Sequence, residues 1–144
     1  MWNTSFMNRL AILLVGAGLL TACSSTNEFA APPADALKTP SGLASKVLRV
    51  GLGQTHPGPQ STVTVHYTGW TADGKMFESS TTDGKPITFR VTEVIQGWVE
   101  GLQLMRVGEK RRFWIPGALA YDTSPLPDAP KGMLVFDIEL IRIQ

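Results

Sequence analysis

The chain has 144 residues, enough for one domain of ordinary size and little beyond it. Its 13 Lys and Arg against 12 Asp and Glu leave a net charge of +1, which excludes the strongly basic surface of a nucleic-acid binder. A single Cys excludes an internal disulfide, and 14 Gly with 10 Pro favour a turn-rich architecture over a helical bundle.

Met1 to Ala22 carries one charge, Arg9, and then the apolar run Leu10 to Ala22. Those 13 residues are too few to span a bilayer as a helix and suit the h-region of a signal peptide. The run ends Leu20-Thr21-Ala22-Cys23, which resembles a bacterial lipobox. That resemblance implies a signal peptide over 1–22, with lipidation and cleavage at Cys23. The other reading makes Cys23 a small apolar residue at the end of a helix. It leaves unexplained why the lone Cys sits where the leader motif demands one. Ser24 resembles an outer-membrane address, so the expected location is the outer membrane, lipid-anchored and facing the periplasm. Ser25 to Pro40 is rich in Ser, Thr, Ala and Pro without apolar periodicity. It predicts a disordered linker over 23–41, with a typical reach of roughly 25 Å.

Residues 42–144 form the predicted domain. Gly42 to Val50 reads as a first strand, and Gly51 to Gln60 as a loop containing a solvated His56. Thr62 to Tyr67 alternates, with Val63, Val65 and Tyr67 on one face and Thr62, Thr64 and His66 on the other. Thr68 to Lys75 reads as a turn around Asp73-Gly74, after which a short strand presents Phe77 beside Glu78. Pro86 to Val91 is a further strand. Thr92 is the predicted N-cap of the single helix, on which Trp98, Leu102 and Met105 recur at helical spacing. Gly97 and Gly101 predict close packing of that helix on a sheet, and Gly108 its stop. Glu109 to Ile115 and Met133 to Ile143 complete the strands, the basic run Lys110 to Arg112 reading as a solvated edge. Strands, one helix and strands again predict an α+β fold, an antiparallel sheet with one helix on a face. Two isolated His with no Cys partner argue against a metal site.

Six segments occur in one order: VTVHYTGW, DGKMFESS, EVIQGWVEGLQLM, GEKRRFWIP, ALAY and MLVFDIELI. Together they resemble the FKBP-type peptidyl-prolyl cis-trans isomerases over roughly Gly42 to Gln144. The resemblance implies a curved antiparallel sheet wrapped over one short helix, with an apolar pocket between them. It makes Tyr67, Phe77 and Phe136 the pocket walls, Trp98 its floor, and Val94 and Ile95 its rim. The Ile95 backbone N–H and the Tyr121 hydroxyl become donors to bound carbonyls. Glu78 stands where the family has Asp, and Ile87 where strong macrolide binders have Phe. The segment Asp122 to Pro130 is short and lacks the Gly that usually follows the tyrosine. These departures imply weak macrolide binding. The implied activity is prolyl isomerisation of unfolded or flexible polypeptides by a monomer, with no cofactor and no metal. The alternative is an FKBP-like module that grips proline segments with little turnover.

Overall fold

The computed structural model describes residues 27–144, so the leader, the lipobox and Cys23 lie outside the described residues. The strands are β1 (Leu37–Lys38), β2 (Ala44–Arg49), β3 (Thr62–Thr71), β4 (Met76–Ser79), β5 (Ile87–Arg90), β6 (Lys110–Ile115) and β7 (Leu134–Ile143). The helix α1 covers Gln96–Leu102. The strands form one antiparallel sheet in the order β1-β2-β6-β7-β3-β4, and β5 joins the same edge of β3 as β4.

The alternating pattern fixes which side chains meet the helix. Val63, Val65 and Tyr67 of β3, Phe113 and Ile115 of β6, and Leu134, Phe136, Ile138 and Leu140 of β7 form one core with Trp98 and Leu102. The close approach of α1 depends on two glycines. A Cβ at Gly101 would stand 2.6 Å from Phe113 Cε1, and one at Gly97 would collide with the Ile115 side chain. The opposite face of the sheet carries a smaller cluster of Ala44, Trp114 and Val135, flanked by Phe29 and Trp70.

Several sequence expectations need correction. β3 does not turn at Thr68. It runs on to Thr71 because β7 pairs with it throughout, from Val63 opposite Ile143 to Thr71 opposite Leu134. The turn proper is Ala72 to Lys75, where Gly74 takes a φ of 86°. The helix starts four residues after the expected N-cap. Val91–Glu93 forms a separate 3-10 turn, in which the Arg90 backbone N–H donates to Glu93 Oε2 at 3.3 Å. Val94 is then extended, with φ −120° and ψ 175°, and interrupts any continuous helix. Met105 lies beyond α1 yet remains fully buried. Gly108, at φ 87°, serves the turn into β6 rather than the helix end.

The basic run is not a solvated edge, because β6 lies inside the sheet between β2 and β7. Arg111 is buried and its Nε donates to Glu109 Oε1 at 2.6 Å. Arg112 donates to both Asp137 oxygens, at 2.6 and 2.9 Å, and pairs with Glu28 at 2.7 Å.

Nor is the described part of the expected linker free of the domain. Asn27 Nδ2 donates to Ala72 O at 3.0 Å, and Trp114 Nε1 donates to Glu28 O at 3.0 Å. Phe29 packs against Trp70, and Leu37–Lys38 adds β1 to the edge of β2. Together with the Arg112–Glu28 ion pair, these contacts hold a segment whose composition alone predicts disorder.

Candidate active site

Between α1 and the sheet lies a cavity of about 480 Å³. Its lining contains Tyr67, Glu78, Ile87, Val94, Ile95, Trp98, Tyr121 and Phe136, eight of the nine site residues expected from the sequence. Its floor is a set of interlocked rings. Trp98 meets Phe136 edge-on at 5.3 Å and 90°, and Tyr67 at 5.1 Å and 77°. Such perpendicular contacts suit the quadrupoles of the rings and fix their orientation. Phe89 backs Trp98 at 5.6 Å, half-buried and packed against the core.

Phe77 is the ninth residue, and it stands outside the cavity. It meets Phe136 edge-on at 5.6 Å, supporting that wall from behind, and it lines an adjoining groove of about 390 Å³. Gly69 makes this two-ring stack possible. A Cβ there would stand 2.6 Å from Phe136 Cε1 and 2.8 Å from Phe77 Cζ. Sequence reasoning placed Gly69 in a turn and so missed its role.

The rim follows from the break between the 3-10 turn and α1. Val94 and Ile95 are extended and half-buried. Ile95 O accepts from Trp98 N and Val99 N, whereas the Ile95 N–H has no acceptor among the described residues. On the other side, Lys131 Nζ donates to Tyr121 O at 2.7 Å and Ser124 O at 2.9 Å. Asp122, in place of the expected Gly, accepts from Gly132 N at 2.7 Å. These bonds close the base of the short 121–132 loop and hold Tyr121 at the cavity. Glu93, Ala120, Thr123 and Ser124 also line it. Their loop positions carry no periodicity that marks them in the sequence.

The polar groups are few. Burial first, and then the neighbouring Glu78 carboxylate, holds the Tyr67 phenol well above its ordinary range. The same two causes in the same order raise Tyr121. Both hydroxyls stay protonated near neutral pH, that of Tyr67 turned to the Glu78 carboxylate and that of Tyr121 left to donate. Trp98 Nε1 is buried and has no hydrogen-bond partner among the described residues. His56 and His66 stand elsewhere: His56 Nδ1 lies 2.9 Å from Met105 O, and His66 Nδ1 lies 3.0 Å from Ser80 Oγ. The arrangement offers an apolar, ring-lined slot with neutral donors at its edges and, among the described residues, no nucleophile hydrogen-bonded to a base.

Residues 53–141 match the family model of the FKBP-type peptidyl-prolyl cis-trans isomerases. The chain belongs to that family. It is 47% identical over 121 residues to a macrophage infectivity potentiator of Trypanosoma cruzi, covering 81% of this chain and 60% of that one. It is 44% identical over 107 residues to the outer membrane protein MIP of Legionella longbeachae, covering 73% and 46%. The crystal structure of FkpA from Escherichia coli superposes with a TM-score of 0.73 at 34% identity, over 97% of this chain and 63% of that one. This FKBP-type chain thus spans roughly half the length of the curated relatives it matches.

Proposed function

We propose that the protein is a peptidyl-prolyl cis-trans isomerase of the cell envelope, acting on proline-containing unfolded or flexible polypeptides. The observation that carries this reading is the ring-lined cavity, with Trp98 as floor, Tyr67 and Phe136 as walls and unpaired donors at the rim.

The reaction needs rotation about one bond and no proton transfer. The barrier is about 18–20 kcal/mol because the planar amide is stabilised by charge-separated resonance. Water supports that charge separation. The twisted amide has lost it and is the less polar species. An apolar cavity therefore disfavours the planar ground state more than the twisted transition state, and a slot shaped to the twisted bond adds differential binding. Each 1.36 kcal/mol of such difference is a tenfold gain in rate. The proline ring stacks on Trp98. The Ile95 N–H and the Tyr121 hydroxyl hold the flanking carbonyls.

The lipobox reading extends this to anchorage at Cys23 in the outer membrane, with the domain facing the periplasm. The name of the Legionella relative supports that location. Acyl groups on the first mature residue, seen by intact mass, are the expected result; an unmodified mature protein overturns it. A protease-coupled assay on a proline tetrapeptide tests the activity. Acceleration of cis-to-trans exchange supports the isomerase. Tight binding of proline peptides without acceleration supports the gripping module instead.

A further inference from the structure

The packing of the N-terminal segment changes the reach of the tether. Composition alone predicts a linker over 23–41, yet the chain is already fastened to the domain at Asn27, Glu28 and Phe29. Only four steps of chain separate Cys23 from Asn27. At 3.3–3.6 Å per step they span about 14 Å at most, whatever their conformation. An anchor at Cys23 therefore holds the Asn27 corner of the domain within about that distance of the lipid.

That corner carries the apolar surface of the domain. Asn27 and Glu28 line a groove of about 670 Å³ together with Ala30, Pro33, Leu48 and Trp114. Leu48 begins a run in which every second residue is an exposed aliphatic: Leu48, Val50 and Leu52 are 44%, 76% and 89% exposed. Leu52 is the most exposed large hydrophobic among the described residues. Its exposure is built in rather than a product of a loose loop. The Gly53 N–H donates to Val107 O at 3.1 Å, and a Cβ on Gly53 would stand 2.9 Å from Val107 N. The backbone is thus pressed against Val107, and the Leu52 side chain is held off the domain. The neighbouring cations are already paired, Lys46 with Asp35, Arg49 with Glu139 and Arg112 with both Glu28 and Asp137. What the corner offers is apolar area.

We propose that Leu48, Val50 and Leu52, with the groove beside Asn27, rest on the lipid surface to which Cys23 anchors the chain. The proline cavity, on the other face of the sheet, then opens toward the aqueous side. The proposal rests on the anchorage reading. Tether length decides the occupant: a surface kept within about 14 Å of lipid meets lipid at a far higher effective concentration than any dissolved partner. Exposed apolar runs of this kind mark contact surfaces, and a shallow apolar contact beside a covalent lipid strengthens the anchor. Because the cations are paired, the contact is apolar in origin. It needs no anionic lipid and is insensitive to salt.

The test uses the mature protein purified from membranes and placed in vesicles of phosphatidylcholine brominated in its acyl chains. Two variants, Leu52→Trp and Leu126→Trp, each add one exposed indole to the common background of native ones. Leu126 lines the groove that adjoins the cavity. The indole added at residue 52 should be quenched by the brominated lipid and that at 126 left bright. The contrast should be the same with phosphatidylglycerol in the vesicles, and should survive 1 M NaCl, where the screening length is about 3 Å. Adding Leu48→Ser and Val50→Ser should weaken the quenching at 52. Equal quenching at the two positions overturns the proposal, as does quenching at 52 that needs anionic lipid and vanishes in salt. An indole at 52 that is shielded from water but not reached by bromine puts another polypeptide on this face, and overturns it too. If intact mass shows Cys23 without acyl groups, the anchorage reading fails. The docking is then decided by the same two indoles on the chain joined through its Cys23 thiol to a maleimide lipid in the same vesicles.

Discussion

The Phe29 ring lies 4.9 Å from the Trp70 ring, and the Arg112 guanidinium lies over both, at 5.2 and 5.6 Å. Phe29 comes from a segment outside the matched family region, and with Trp70 and Arg112 it covers the sheet face opposite the cavity. An aromatic pair is worth about 0.5–1.5 kcal/mol and a cation–π contact about 0.5–1 kcal/mol. The Trp114 to Glu28 hydrogen bond adds about 0.5–1.5 kcal/mol. A chain beginning at Ser41 should therefore fold, but be about 2–3 kcal/mol less stable than one beginning at Asn27. Urea midpoints of the two chains decide the matter. Equal midpoints would restore the view of 27–40 as a passive spacer.

Gly101→Ala tests the helix–sheet contact. Helix propensity alone predicts a gain of about 1 kcal/mol. The new Cβ, however, would stand 2.6 Å from Phe113 Cε1, in a core that holds Phe113 at 1% exposure. Overpacking of that kind costs about 1–3 kcal/mol, so the variant should be less stable. A higher melting temperature for Gly101→Ala would show that α1 can shift away from the sheet.

These two cases show what the sequence carries and what it omits. The period of two in Thr62 to Tyr67 and in Leu134 to Leu140 names the core face outright, and Gly97 and Gly101 announce a close approach. The cavity residues are legible because aromatic and aliphatic positions recur in the family order. Alternation cannot say where β3 ends, since Trp70 packs on the second cluster rather than facing water. Nor can composition show that Glu28 and Phe29 find Arg112 more than eighty residues away. Phe77 illustrates the same limit. Its place beside Glu78 suggests a wall, and only the Gly69 contact reveals that it stands behind Phe136.

Tyr67 sets an alkaline limit. Its phenol titrates at higher pH in the folded chain than in the unfolded one, where about 10 is usual. Between those two values the unfolded state binds fewer protons, so stability falls as pH rises. The contribution is fully present below about pH 10 and is lost as pH climbs toward the folded value. Denaturation at pH 9 and 11 should show a loss in the parent chain that is smaller in Tyr67→Phe. Identical losses would place the alkaline sensitivity in other groups.

Lys131 should act on substrate capture. Its ammonium holds Tyr121 O and Ser124 O, and Lys131→Met frees both carbonyls. The 121–132 loop should loosen, raising KM several-fold with kcat little changed. Lys131→Arg should restore part of the loss. A pure fall in kcat would mean that the loop shapes the rotation step itself.

The mechanism stands or falls on the walls mattering more than the charges. Phe136 is 2% exposed and faces both Trp98 and Tyr67, so Phe136→Ala should nearly abolish kcat/KM. It should also cost about 3–5 kcal/mol of stability, and folding must be followed alongside. Phe77→Ala removes only the support behind that wall and should cost less activity. Trp98→Phe keeps an apolar floor and deletes the unpartnered N–H, so it should be milder than Trp98→Ala. Tyr121→Phe should lose about one hydrogen bond, 0.5–1.5 kcal/mol, or roughly twofold to tenfold in rate. Glu78→Gln should be mild, because its carboxylate faces two phenols that stay neutral and no proton moves in the reaction. The rate should accordingly be flat from about pH 6 to 8, where neither tyrosine ionises. A bell-shaped profile, or a folded Glu78→Gln variant without activity, would replace desolvation by acid–base chemistry at Glu78.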